Sequence, residues 1–326
     1  MAPSETSCIV IGAGISGLLA ATVLKKHGIH PVVLEKGRGV GGRMATRRVG
    51  DAVIDHGAQY FTVRNNIFSG WVEAWENSGI VKEWFTRFPE ESSEVGHPRY
   101  IGTNGMTTIA KHLAEGLEVH KQHKVREIHF ENGQWQVTCG NGSTFDAPFL
   151  LITAPVPQAL ELIDGSNIEL TDSKRTILSE IRYQRSLSVL ALLDGPSGLP
   201  YHGGKKVHDD PVITWIADNQ MKGISPKQPA VTIHSSYAFG DKHWDSPDEE
   251  RIPPMLKAAE PYLKAKATET QCHRWGFTTP ITPIEAPFMF SRRHNLMLAG
   301  DGFGGPRLET AAVSGLEAAG HLIEFF

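Results

Sequence analysis

The stretch "CIVIGAGISGLLAATVLKKHGIHPVVLEK", residues 8–36, leaves this chain few folds to choose from. "CIVI" is a short apolar run that stops at glycines, so it reads as a buried parallel strand. "ISGLLAATVLKKHG" has helical spacing and ends at Gly28, a residue suited to closing a helix. "HPVVLEK" is a second strand. A strand, a helix and a strand in about 30 residues make one βαβ unit, which commits the chain to a parallel sheet with helices on its faces. Gly12, Gly14 and Gly17 form G-x-G-x-x-G in the first turn. The first glycine makes the turn tight, the second lets backbone approach a pyrophosphate, and the third lets helix and strand pack closely. The helix start at Ile15 and Ser16 offers free N–H groups and a positive dipole end to phosphates. Glu35 ends the second strand 21 residues after Gly14, where a carboxylate can hold ribose hydroxyls, and Lys36 follows it.

A second glycine cluster lies just beyond that carboxylate, in "LEKGRGVGGRMATRR", residues 34–48. Gly39, Gly41 and Gly42 let a loop pass close to a bulky ligand, and Arg43 can pair with phosphate. NAD turns away from this region, whereas FAD extends across it. "GAGISG…LEKGRGVGGRMAT" resembles the FAD fingerprint of the flavoprotein superfamily of amine oxidases and related enzymes. Near the other end, "LMLAGDGFGGPRLETAAVSGLEAAG" resembles the second FAD segment of that superfamily. By this resemblance Gly300 and Asp301 would meet the ribityl or phosphate region. A helix opening near Thr310-Ala311-Ala312 would place N–H groups at the flavin N1/O2 edge. "VIDHGAQYFTVR" is similar to the segment that follows the first fingerprint, and "GAQYFT" is most like the renalase-like branch. That puts His56, Gly57, Ala58 and Gln59 among the cofactor contacts. "VREIHF" and then "FLLITAPVPQAL" resemble the strand whose backbone at Val125 meets adenine and the Ala-Pro turn after it.

The resemblance implies an α/β fold: a discontinuous Rossmann-type FAD-binding domain with an inserted α+β substrate domain built on a mixed sheet. The boundaries read from it are 1–65, 99–160 and 285–326 for the first domain, and 66–98 and 161–284 for the second. The middle of the chain alternates helical and strand-like pieces whose order the sequence does not give. Asn132-Gly133 and Asn141-Gly142 are hairpin turn signals. "CHRWGFTTP" holds His273, Arg274 and Trp275, which with His56 and Tyr60 are the candidates for the substrate side. Trp71, Trp75, Trp84 and Phe85 form either an aromatic wall or core.

Composition narrows the class further. A net charge of −4 lacks the basic footprint of a nucleic-acid binder. No apolar run approaches the ~18 residues of a membrane span, and "MAPSETSC" has no signal-peptide character. Three cysteines, Cys8, Cys139 and Cys272, are widely spaced and odd in number, which suits a reducing cytoplasm. The histidine pairs His27/His30 and His120/His123 lack ligand partners at metal spacing, so no metal is expected. No Ser/His/Asp nucleophile set is recognisable, and Ser314 lies inside a helix pattern.

The reading expected from the sequence is a non-covalent FAD enzyme of the renalase-like group. A reduced carbon next to nitrogen would give hydride to the flavin, and dioxygen would take the electrons. The resemblance implies misreduced dihydronicotinamides as substrates, with NAD(P)H-type compounds as the small-molecule partner. An oxidase or dehydrogenase of small amines and a flavin-binding protein without turnover stand as alternatives. The GGR loop and Asp301 argue against an NAD-dependent dehydrogenase. The oligomeric state stays open.

Overall fold

The computed structural model describes residues 6–88 and 96–326. The reading of the extreme N-terminus, and residues 89–95 of the expected substrate-domain segment, fall outside them.

Both ends of the chain build one six-stranded sheet. Its order is Phe288–Ser291, Leu296–Ala299, Phe149–Ile152, Cys8–Ile11, Pro31–Glu35 and Glu118–Lys121. All neighbours run parallel except the edge pair Phe288–Ser291 and Leu296–Ala299. The central strands carry no alternation because both of their faces are covered, and every residue of Cys8–Ile11 and Pro31–Glu35 is buried. Helix Ile15–Lys26 follows the glycine turn, and helix Leu308–Ile323 packs beside it. Two glycines make that packing possible. A Cβ on Gly17 would lie 2.1 Å from the Gly12 carbonyl oxygen, and one on Gly315 would lie 2.2 Å from that of Ser16. The C-terminal helix is thereby pressed onto the first turn of the N-terminal one, which joins the two cofactor segments in space.

Helix Asn66–Asn77 is capped by the Asn65 side chain, which accepts from the Ile67 and Phe68 amides. Its apolar stripe, Phe68, Val72 and Trp75, enters the same buried cluster as Leu19 and Leu316. Trp75 is therefore core, and Trp71 packs half-buried against the same cluster. On the other face of the main sheet, strands Val125–Glu131, Gln134–Cys139 and Thr144–Ala147 form an antiparallel meander over fully buried Trp135. Its first turn has Asn132 at φ +52° and Gly133 at +79°, the left-handed pair that Asn-Gly favours.

The inserted sheet runs Gly204–Lys206, Ile213–Asp218, Ala230–Ser235, Tyr183–Leu193, Ala267–Pro280. The fold class is the expected one, but this sheet is antiparallel throughout rather than mixed. The links between Gly204–Lys206, Ile213–Asp218 and Ala230–Ser235 hold no crossover helix, so these neighbours turn back on each other. One face of the sheet, with Leu187, Val189, Val231 and Ile233, packs under helices Tyr237–Lys242 and Asp248–Ala259. The opposite face meets the hairpin Thr46–Val49 and Ala52–Asp55, where Leu190, Leu192 and Ala230 pack on Val49, Ala52 and Ile54.

Asp55 is the tie point of this seam. Its amide donates to Asn219 Oδ1, and its carbonyl accepts the Thr232 hydroxyl at 2.6 Å. Its carboxylate accepts from Thr46 Oγ1, from the Met106 amide and from Lys222 Nζ at 2.7 Å. Both members of the Asp55–Lys222 pair are fully buried. The residue thus fixes the segment His56–Gln59 relative to the inserted sheet.

Candidate active site

The glycine turn ends in an uncapped helix. Gly14 is the N-cap and offers no side chain, and the first amide to find a helical carbonyl is that of Leu18, bonded to Gly14 at 3.0 Å. The amides of Ile15, Ser16 and Gly17 are the orphans of that turn. Ser16 Oγ is also buried without a hydrogen-bond partner. A Cβ on Gly14 would meet nothing within 4 Å, while one on Gly42 would lie 3.6 Å from the Gly14 Cα. Gly41 holds the second loop in place by donating to the Ala13 carbonyl at 2.8 Å. The result is a slot between two glycine-bearing segments, lined with free donors, and it fits a diphosphate.

Next to the slot, Glu35 is nearly buried and accepts from the Ala13 amide at 3.0 Å and the Gly37 amide at 2.6 Å. A carboxylate has about four acceptor sites, so two remain for a ribose diol. The amides of His123 and Gln122 donate to the carbonyls of Glu35 and Gly37, which brings the backbone leading to Val125 alongside. Lys36 reaches Gln158 at 3.2 Å, and burial pushes its pKa down.

At the opposite end of the slot the structure revises two expectations. Arg43 is not free for a phosphate. Its guanidinium forms a bidentate pair with Asp301 and also donates to the carbonyls of Phe277 and Thr278. Tyr183 donates to the same Asp301 carboxylate at 3.1 Å. Burial and the Asp301 charge push the Tyr183 phenol up. Arg43 and Asp301 therefore lock the first loop to the last strand, and the Asp301 carboxylate already holds two side-chain partners, Arg43 and Tyr183. The C-terminal helix also opens earlier than Thr310: it starts at Leu308 after Arg307. The Ala311 amide is already bonded to the Arg307 carbonyl at 3.1 Å, and Ala312 is fully buried one residue deeper in the helix. The amides free to face a ligand are those of the first turn, Leu308 to Thr310. Gly300, at φ +126°, bends the chain here, its amide donating to Ser314 Oγ at 2.8 Å.

The segment His56-Gly57-Ala58-Gln59 is clamped to the arginine loop, the Ala58 amide donating to the Arg43 carbonyl at 2.8 Å. Above it lies one face of the inserted sheet. Strand register aligns Trp215 with His234, His234 with Ser188, and Ser188 with His273, and places Trp275 opposite Ser186. Trp275 Nε1 donates to the His56 carbonyl at 2.8 Å. The His56 ring lies 5.4 Å from the Trp275 ring, nearly parallel to it, and 4.7 Å from His273. Burial pushes His56 down to about 3, and the nearby His273, Arg47 and His234 push in the same direction. Burial pushes His234 to about 4, and burial with Arg47 pushes His273 to about 4. All three imidazoles are uncharged at neutral pH. His56 Nδ1, Gln59 Oε1, Ser188 Oγ, His234 Nε2 and Trp215 Nε1 are buried without a protein hydrogen-bond partner. Buried polar atoms are seldom left so in a finished structure, and five of them gather in this region.

Arg274 does not join His273 and Trp275. Side chains alternate across a strand, so Arg274 points to the other face, where it donates to the Trp244 carbonyl and sits over the Trp244 ring. Tyr60 lies in an aromatic group with Trp84, Phe85, Phe88 and Trp215, at ring distances of 5.9–6.3 Å. Phe85 is core here, in a buried cluster with Phe88 and Trp215, and Trp84 packs against it. Ser188, Trp215 and His234 escaped the sequence reading. A Ser, a Trp and a His spread over three strands carry no local pattern, and only strand register brings them together. Glu309 also escaped it: buried at the start of the last helix, it accepts from the Arg64 and Asn65 amides. Among the described residues no group of three or more His, Cys, Asp or Glu is arranged to hold a metal, and no helix is long and apolar enough to cross a membrane.

The family model for flavin containing amine oxidoreductases matches residues 66–323, and that for NAD(P)-binding Rossmann-like domains matches residues 10–74. The chain belongs to the flavin-containing amine oxidoreductase family and is a flavin-dependent oxidoreductase. Within it the chain is renalase-like: it is 26% identical to renalase of Mus musculus over 324 residues, which span 90% of this chain and 92% of that one. Among solved structures, cyclohexylamine oxidase from Brevibacterium oxydans IH-35A superposes with a TM-score of 0.71 at 13% identity, covering 99% of both chains. A fatty acid isomerase from P. acnes superposes with a TM-score of 0.70 at 14% identity, covering 100% of both. One fold therefore serves reactions as different as these, and the reaction of this chain has to be read from its own site.

Proposed function

We propose that the chain holds one FAD without a covalent bond and oxidises a dihydronicotinamide-type substrate, with dioxygen as the final electron acceptor. Bound in the slot, FAD would supply a ring system that accepts a hydride and passes electrons on. The amides of Ile15 and Ser16 would bind its diphosphate, Glu35 its adenosine ribose, and the backbone at Val125 its adenine. The first-turn amides Leu308 to Thr310 would stabilise negative charge at the far end of the ring.

The observation that carries this reading is the row of uncharged imidazoles and indoles facing His56–Gln59. Among the described residues, the unpartnered buried groups of that row include no carboxylate. Such a wall can stack on a flat, uncharged heteroaromatic ring. His56 at about 3 and His273 at about 4 are also too weakly basic to take a proton near neutral pH. A donor ring that gives up hydride without deprotonation needs only to be held in place, which the nearly parallel His56 and Trp275 rings can do. The three cysteines are free. They suit a reducing compartment, and we take the cytoplasm as its location. Anaerobic mixing of the purified protein with isomers of dihydronicotinamide and with small primary amines tests the reading. Bleaching of the flavin by the former alone supports it. Bleaching by amines alone overturns it.

A further inference from the structure

Two of the unpartnered groups have a fixed sense. Gln59 Nε2 donates to the Asp55 carbonyl at 2.8 Å and the Gly57 carbonyl at 3.1 Å. Turning the amide over would set Oε1 against two carbonyl oxygens, so Oε1 is held outward as an acceptor only. Trp215 Nε1–H is a donor only. Both side chains are more than nine-tenths buried, with Gln59 6% and Trp215 8% exposed. Both belong to the seam between His56–Gln59 and the inserted sheet. The Asp55 carbonyl that orients Gln59 also accepts the Thr232 hydroxyl. Thr232 and His234 share a face of their strand, His234 is aligned with Trp215, and the Tyr60 ring next to Gln59 lies 5.9 Å from the Trp215 ring.

A fixed acceptor and a fixed donor on one seam match a group that presents an N–H and a C=O together. Resting on the proposed function, we infer that Gln59 Oε1 and Trp215 Nε1–H read the carboxamide of the substrate and select it over the corresponding acid. The amide nitrogen donates to Gln59, and the amide oxygen accepts from Trp215. A carboxylate has no proton to give Gln59 Oε1, so it would place one of its oxygens against another buried acceptor. A site built around a substrate hydrogen bond rejects the analogue that cannot make it far more strongly than an apolar pocket does.

The test compares a dihydronicotinamide with the matched dihydronicotinate in anaerobic flavin reduction. Equilibrium binding of nicotinamide and nicotinate, measured by calorimetry, is the second readout. The expected preference for the amide is at least about a hundredfold in kcat/KM. Trp215→Phe, which keeps the ring and removes the donor, should raise KM for the amide and weaken nicotinamide binding in calorimetry. Gln59→Leu should narrow the amide-over-acid preference in both readouts. Equal use of amide and acid by the unaltered protein, or an unchanged preference in both variants, overturns the inference while leaving the hydride reading intact. Amide-selective binding without any flavin reduction by dihydronicotinamides would do the reverse: it keeps the amide contact and removes the proposed reaction.

Discussion

Removing the Lys222 ammonium is the sharpest test of how the two halves of the site are held together. Lys222 and Asp55 are fully buried and 2.7 Å apart. Burial pushes the Lys222 pKa down while the Asp55 charge pulls it back up. The ammonium also sits over the Trp84 ring, 5.1 Å away, with the Lys82 charge near enough to push its pKa down further. In Lys222→Met, Asp55 keeps the Thr46 hydroxyl at 2.6 Å and the Met106 amide at 2.9 Å but loses its counter-charge. Breaking one side of a buried pair costs about 3–5 kcal/mol, and the two surviving bonds place this case near about 3. Adding Asp55→Asn removes the stranded charge, so the double variant should recover to within about 1–2 kcal/mol of the unaltered protein. Urea unfolding followed by circular dichroism and tryptophan fluorescence measures both. A loss under about 1 kcal/mol in Lys222→Met, or a double variant no more stable than the single one, would refute the argument that this pair anchors the seam.

Other outcomes follow from the same geometry. Glu35→Ala should lower FAD affinity at least about tenfold with the fold retained, since each charge-assisted hydrogen bond to ribose is worth roughly 1.5–3 kcal/mol; titration of the FAD-free protein with FAD reads it. His56, His234 and His273 are held at about 3, 4 and 4, below the 6.5 of an unfolded histidine, so the unfolded chain binds more protons in between. Their contribution to stability is therefore complete above pH ~6.5 and is lost as the pH falls from there towards 4 and then 3, which unfolding midpoints across that range should trace. Single changes His56→Asn, His273→Asn or Tyr60→Phe should each slow flavin reduction by less than about a hundredfold, the low end for loss of a general base. A change that abolished reduction while FAD and substrate still bound would point to an acid–base residue instead.

Local sequence carried the cofactor half of this molecule further than the substrate half. The glycine turn, Glu35 and the second glycine cluster are legible because each needs a particular residue at a particular spacing. The same holds for Asn132-Gly133, where a left-handed turn restricts the choice of residue. Arg43 shows the limit: its type suggests an anion, but only the fold decides between a phosphate and Asp301, 258 positions away. Arg274 shows another, because adjacent residues on a strand face opposite ways and a strand cannot be phased until its partners are known. The last helix opens two residues before Thr310, a start the sequence does not show because Arg307 carries no usual capping signal and its cap is formed with Thr310 Oγ1 from inside the helix. The inserted sheet was unreadable in order for a related reason. The row Trp215, His234, Ser188, His273 exists only through pairing between strands that lie far apart along the chain.

The central claim is that hydride passes from a dihydronicotinamide ring to the bound flavin with no side chain acting as base. Anaerobic stopped-flow reduction with a donor deuterated at the transferred position tests it most directly. The account predicts fast bleaching of the flavin, a substantial primary isotope effect, and a reduction rate that stays level from pH 6 to 8 because the histidines facing the ring titrate near 3 and 4. Bleaching without an isotope effect under conditions where chemistry limits the rate, or a rate that rises through a single ionisation in that range, would contradict it.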